Sequence, residues 1–307
     1  MTTDVWFVML PGVLSLDVAG PAETFALAGE AFRLHYIGPE PTVSTSIGVT
    51  ISDIRPLPET LPEGSLLVLP GAWDSAHFFA TPQAETVRCW LTRLQPAIHR
   101  QELALMCVCS GALLAAKAGL LTGKQCTTHH DVIARLKLAA PGAVVKENRI
   151  FVEDGSIWTS AGITSGIDLA LHLINRLRGP ECALAVARKM VVWFRRSGDD
   201  PQLSPWLRYR NHMHPAVHRV QDALVASPER AWTLNDIAAC GHVSPRHLTR
   251  LFQQQIGISV HEYLRHLRLA LTEQCLLQGY GVDKAVMAAG FSSPRQFYRT
   301  RRSVSKI

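Results

Sequence analysis

The residue with the most chemical promise in this chain of 307 residues is Cys109. It stands in Leu103-Ala-Leu-Met-Cys-Val-Cys109-Ser-Gly-Ala-Leu-Leu-Ala, where a strand-like apolar run gives way at Gly111 to a helical pattern. Strand, sharp turn and helix in that order expose one side chain at the strand's end, the layout of a nucleophile elbow. A thiol there meets the positive end of the next helix, which predicts a lowered pKa and thiolate character. Cys107 shares the strand's face but lies deeper, and reads as a small core residue. Cys107, Cys109, His129 and His130 fit no Cys/His zinc spacing, so neither a metal nor a cofactor is expected. Seven cysteines, an odd number without framework spacing, fit reduced thiols better than disulfides.

A second kind of chemistry lies near the C-terminus, where one helical pattern occurs twice. The copies run from Trp232 to Phe252 and from Val282 to Arg299. Each reads as an apolar helix, a Gly-centred turn, a Ser/Pro start and an Arg-bearing helix, which is a helix-turn-helix. We place the two units at 234–255 and 282–302. In the first, Leu248, Leu251 and Phe252 form the buried stripe, Ser244 is the N-cap and Pro245 the first helical residue. Arg246, His247, Thr249, Arg250 and Gln253 lie off that stripe. In the second, Phe291 and Phe297 point inward, leaving Pro294, Arg295, Gln296 and Arg299 outward. Arginine can bind guanine with two hydrogen bonds, so both helices are suited to base edges in the major groove. The stretch from Val260 to Leu277 carries Tyr263, Leu264, Leu267, Leu271 and Leu276 at helical spacing. It predicts a rigid spacer holding the two readers about 34 Å apart on double-stranded DNA.

The elements that must position these groups follow from the apolar patterning. Buried-strand runs at 5–10, 66–70 and 103–109 alternate with helical stretches at about 21–30, 82–100, 111–119, 165–178 and 180–193. That alternation predicts an α/β domain over 1–193, a flavodoxin-like, mostly parallel sheet with helices on both faces. Residues 194–213 mix Gly, Pro, Asp and Ser without a period and read as a linker. Residues 214–307 read as an all-α domain. Charge follows the same division, with a net of −2 over 1–190 and +8 over 191–307. A basic end behind a near-neutral body suits a DNA-binding module. No apolar run approaches the ~20 residues of a membrane span, and the first residues lack a signal-peptide pattern. A cytoplasmic protein with no membrane partner is expected.

The segments "VSPRHLTRLFQQQIGISVHEYLRHLRL" and "AVMAAGFSSPRQFYR" resemble the AraC/XylS family of transcriptional regulators over about 214–300. The resemblance implies that Arg246, Thr249 and Arg250 face bases in the first unit, and Pro294, Arg295, Gln296 and Arg299 in the second. The family usually has Phe where this chain has Arg301, so the second unit is expected to lose core packing and to risk an unpaired charge. The segments "LLVLPGAW", "CSGALLAAKAGLLTGKQCTTHH" and "IWTSAGITSGIDLALHLI" resemble the ThiJ/PfpI branch of the class I glutamine-amidotransferase-like fold over about 1–190.

This second resemblance implies a pocket at Cys109, with Asp17 at the family's acidic position and His129 in reach. Peptide nitrogens near Gly71 and Ser110 would make an anion nest. The implied ligand set is Asp17, Gly71, Cys109, Ser110 and His129. Ser110 stands where PfpI-type peptidases have His, Val108 where amidotransferases have Gly, and Asp17 is shorter than the usual Glu. No catalysis is therefore expected; if there is any, Cys109, Asp17 and His129 would carry it. The whole reads as a ligand-responsive, homodimeric DNA-binding regulator. Its effector would be amino-acid- or amine-derived, its target a catabolic or metabolic operon, and an activator would also contact RNA polymerase. The alternatives are a thiol-dependent hydratase, lyase or amidase, or a Cys109 redox sensor, fused to a DNA-binding domain.

Overall fold

The computed structural model describes residues 2–73, 78–192, 196–198, 202, 209, 212, 214–277 and 279–304. The chain forms two compact units, Met1–Gln202 and Leu203–Ile307.

In chain order the first unit contains β1 (Thr3–Val8), α1 (Ser15–Ala26), β2 (Phe32–Ile37), β3 (Val43–Ser44), β4 (Thr50–Ile51), β5 (Leu66–Leu69), α2 (Pro82–His99), β6 (Ala104–Val108) and α3 (Gly111–Lys117). Then follow β7 (Gln125–Cys126), α4 (Ile133–Ala139), β8 (Val144–Val145), β9 (Phe151–Asp154), β10 (Ile157–Ser160), α5 (Ser165–Arg178) and α6 (Pro180–Lys189). Six strands make one sheet in the order β2-β1-β5-β6-β10-β9, parallel throughout except for antiparallel β9. β5 and β10 are buried at every position, and β6 at every position but its first. Burial on both faces explains why β5 and β6 read as unbroken apolar runs. The edge strands β2 (FRLHYI) and β9 (FVED) carry polar residues, and neither was anticipated. β10 was missed as well, because Thr159 and Ser160 interrupt its apolar run although both are buried.

The flanking helices follow their apolar stripes. In α2, Thr81 caps the Ala84 amide, Pro82 takes the first turn, and Trp90, Leu91, Leu94 and Ile98 face the core. α1 starts at Ser15, ahead of the expected 21, and carries Pro21 inside it. It lies close to α5 where glycines remove side chains: a Cβ on Gly166 would sit 3.1 Å from Pro21 and 3.0 Å from Val108.

The second unit is helical among its described residues: α7 (Pro215–Ala226), α8 (Leu234–Cys240), α9 (Pro245–Ile256), α10 (Val260–Leu277), α11 (Val282–Ala288) and α12 (Pro294–Val304). α8 opens on a Thr233–Asp236 capping box. The pair α8/α9 and its neighbours bury Val217, Val220, Ile237, Leu248, Phe252 and Tyr263. The pair α11/α12 buries a smaller set with Leu269: Val286, Ala289, Phe291 and Phe297. The left-handed residue in the first pair's turn is His242 (φ 55°) rather than the expected Gly241, whereas in the second it is Gly290 (φ 83°). No helix among the described residues is long and apolar enough to cross a membrane.

Candidate functional site

Cys109 sits where β6 ends and α3 begins, with φ of 56°. A non-glycine residue held there costs about 1–3 kcal/mol, so the surrounding packing must enforce it. The surroundings are tight enough to do so. A Cβ on Gly162 would lie 2.1 Å from the Cβ of Cys109, and one on Gly111 would lie 2.0 Å from the Leu69 carbonyl oxygen. The Cys109 amide donates to Ser160 O at 3.1 Å, and Thr128 Oγ1 donates to Cys109 O at 2.7 Å.

Asp17, on the first turn of α1, is fully buried beside this thiol. Its Oδ2 accepts from the Gly71 amide at 3.1 Å and its Oδ1 from the Ile163 amide at 2.8 Å. The thiol of Cys109 also hydrogen-bonds to it. Burial is the largest effect on the carboxyl. It outweighs the two peptide donors and the thiol, and raises the pKa from 3.8 to about 6. The thiol itself moves far above its ordinary value, first through burial and then through the Asp17 charge. The Ser110 peptide at the helix start pulls the other way and loses. This corrects the expectation of a thiolate: the elbow geometry is present, but the thiol holds its proton. Cys107 is fully buried and is likewise raised, chiefly by desolvation.

Asp17, Gly71, Cys109 and Ser110 therefore come together. The Gly71 amide is given to Asp17, and Ser110 Oγ exchanges hydrogen bonds with Ala72, accepting at 2.9 Å and donating at 3.1 Å. His129 is placed differently. Its Nδ1 accepts from the Asp131 amide at 3.4 Å, its ring lies 4.2 Å from that of His130, and burial lowers its pKa. Contacts among the described residues do not join it to Cys109 or Asp17. The candidate ligand atoms of His129, His130 and Asp131 lie within 4.8 Å of one another, a grouping that contains neither Cys107 nor Cys109. Sequence reasoning missed Ile163, Gly162 and Thr128. The glycine between Ala161 and Ile163 was the available signal, because it has no Cβ where Cys109 packs and takes a φ of 91°.

The basic helices place most of their expected residues outward. Arg246, Thr249 and Arg250 on α9 are exposed, while Leu248, Leu251 and Phe252 are buried. Ser244 Oγ accepts from the His247 amide. On α12, Ser293 Oγ plays the same part for the Gln296 amide, and Arg295 and Arg299 are exposed. Gln296 is half-buried, and its Oε1 accepts from the Ser292 amide at 2.8 Å and from its hydroxyl at 2.9 Å, so that oxygen caps the helix. Arg301 occupies the position equivalent to Phe252. It is exposed and lies 3.9 Å from Glu273. The expected unpaired charge does not arise, whereas the smaller core of the second pair agrees with the expected loss of packing.

Against this geometry the comparisons with known proteins are decisive for the family. Residues 3–176 match the model of the DJ-1/PfpI family. The chain belongs to the DJ-1/PfpI family. Residues 237–306 match one helix-turn-helix domain model, so the chain fuses a DJ-1/PfpI domain with a helix-turn-helix domain of AraC/XylS type. The HTH-type transcriptional regulator GbdR of Pseudomonas aeruginosa is 32% identical over 72% of the chain. The chain spans 60% of the length of GbdR. The HTH-type transcriptional regulator CdhR of the same species is 28% identical over 99% of the chain and 89% of its own length. Isonitrile hydratase of Pseudomonas putida is 30% identical over 61% of the chain and 77% of its own length.

Proposed function

We propose that this chain is a sequence-specific DNA-binding transcriptional regulator, with each pair, α8/α9 and α11/α12, acting as a reading unit. The observation that carries the reading is the repeated Ser-capped helix with a buried apolar stripe and exposed Arg246, Thr249 and Arg250, then Arg295 and Arg299. The regulator names of GbdR and CdhR support it. The DJ-1/PfpI domain would sense a small metabolite near Asp17, Gly71, Cys109 and Ser110, without turnover. Its effector is amino-acid- or amine-derived, the working assembly is a homodimer, and the target is a metabolic operon. The protonated thiol supports sensing over nucleophilic catalysis, since the thiolate is the nucleophile.

The test is selection of duplexes from a random pool by the full chain, followed by binding across a salt series. Enrichment of one motif, with affinity falling steeply as salt rises, is expected. An unenriched pool contradicts the proposal.

A second reading has its own observation: a strained cysteine hydrogen-bonded to a carboxyl, in a chain of which 61% matches isonitrile hydratase at 30% identity. Hydration of an isonitrile that disappears in both Cys109→Ser and Asp17→Asn would favour it over pure sensing.

A further inference from the structure

Three consecutive residues beyond the Cys109 turn bring metal-binding atoms together. The Nδ1 of His129 lies 3.6 Å from Oδ2 of Asp131, and the Nε2 of His130 lies 3.3 Å from Oδ1 of the same carboxylate. The two imidazole rings are 4.2 Å apart. One donor atom from each residue lies within 4.8 Å of the other two. Ligands that share a tetrahedral zinc ion at about 2.0–2.2 Å stand about 3.3 Å from one another. The two gaps between imidazole and carboxylate are therefore already near the spacing that one ion needs. Asp131 is exposed, and a turn of its side chain closes what remains.

Side chains of neighbouring residues ordinarily diverge; here the backbone makes them converge. His129 has φ −55° and ψ 140°, and His130–Val132 then wind a single 3-10 turn. Both ends of the segment are pinned. Upstream, the Thr127 amide donates to Thr159 Oγ1 at 2.8 Å, and Thr128 Oγ1 donates to the Cys109 carbonyl at 2.7 Å. Downstream, the Val132 amide donates to His129 O at 2.8 Å, and the Val132 side chain is buried. A frame fixed before the ion arrives loses little freedom on binding. His129 Nδ1 accepts from the Asp131 amide, so its lone pair is directed to the Asp131 side. At 3.4 Å that hydrogen bond is long and weak, and a metal ion displaces it readily.

The donor set selects the ion. Two imidazoles and one carboxylate suit zinc, nickel, cobalt and copper(II). Magnesium and calcium call for oxygen ligands, and copper(I) for sulfur. Cys107 and Cys109 stand outside the grouping, which is why Cys/His spacing gave no sign of it; Asp131 supplies the third ligand. Three protein ligands leave a coordination position open to water, which a closed structural zinc site does not.

We propose that His129, His130 and Asp131 form a binding site for a divalent transition metal of the zinc class, with Nδ1, Nε2 and a carboxylate oxygen as its ligands. An ion there ties residues 129–131 together, one residue beyond the hydrogen bond from Thr128 to the Cys109 turn. The site goes beyond the regulator reading and stands without it.

The experiment titrates the full chain, free of any affinity tag, with cobalt(II), whose absorption spectrum reports its ligands. Saturation at one ion per chain is expected, with ligand-field bands and no thiolate charge-transfer band. His130→Ala and Asp131→Asn should each weaken binding at least about tenfold, since loss of a group that merely orients a metal ligand already costs about 10–100-fold. Cys89→Ser, which removes an exposed thiol, should bind as the wild type does. His130 and Asp131 are both exposed, so unchanged circular dichroism separates ligand loss from unfolding. Hydrogen exchange in a peptide covering residues 127–132 should slow with zinc in the wild type and not in Asp131→Asn. The proposal is overturned by absence of saturable binding, by a thiolate band that disappears in Cys89→Ser, by undiminished affinity in both His130→Ala and Asp131→Asn, or by exchange over 127–132 that ignores zinc.

Discussion

Asp17 and Cys109 share one proton-rich environment, and burial is what sets it. A carboxyl raised to about 6 from 3.8 binds its proton more tightly in the folded chain than in the unfolded one. The stability it contributes is complete below pH ~4 and is lost as pH rises through about 6, a contribution on the order of 2–3 kcal/mol. Urea unfolding between pH 4.5 and 7.5 should therefore show wild-type stability falling relative to Asp17→Asn; parallel curves would contradict the assignment. The thiol makes a matching prediction. Iodoacetamide should modify Cys109 slowly at pH 7 and faster in Asp17→Asn, where the carboxylate charge is gone. Rapid modification of the wild type at neutral pH would mean that the helix start wins after all. Cys109 itself was legible from its turn, but its protonation was not. The sequence displays the helix that follows, while the opposing carboxyl comes from a helix ninety-odd residues earlier and its burial from strands on either side.

Among the elements, the strands β1, β5 and β6 were legible because central parallel strands are apolar on both faces. β2, β9 and β10 were not, since edge exposure and buried hydroxyls blur the apolar signal. The loop after β10 is the element that fixes the site. Gly162→Ala would place a methyl 2.1 Å from Cys109 at a φ that side chains rarely adopt. A loss of roughly 3 kcal/mol or more in equilibrium unfolding is expected, in the range of overpacking added to backbone strain. A variant as stable as the wild type would show that the turn can relax. In the helical unit, the two pairs share caps but not cores. Amides of α11 and α12 should exchange faster than those of α8 and α9, because fewer apolar side chains hold them. Equal protection would contradict the unequal cores. Arg301→Ala should cost under about 0.5 kcal/mol, as its partner Glu273 is also exposed.

At the scale of the whole molecule, the fusion was readable from two independent sets of residues, the Cys109 turn and the repeated Arg-bearing helices. The proposed function requires that the exposed arginines read base sequence. The deciding measurement is the affinity of the full chain and of Arg250→Ala for the selected duplex and for a scrambled one, at several salt concentrations. The substitution should cost ~1–3 kcal/mol on the selected duplex, relax preference at one base position and leave scrambled binding nearly unchanged. Equal losses on both duplexes, or none on either, would contradict it.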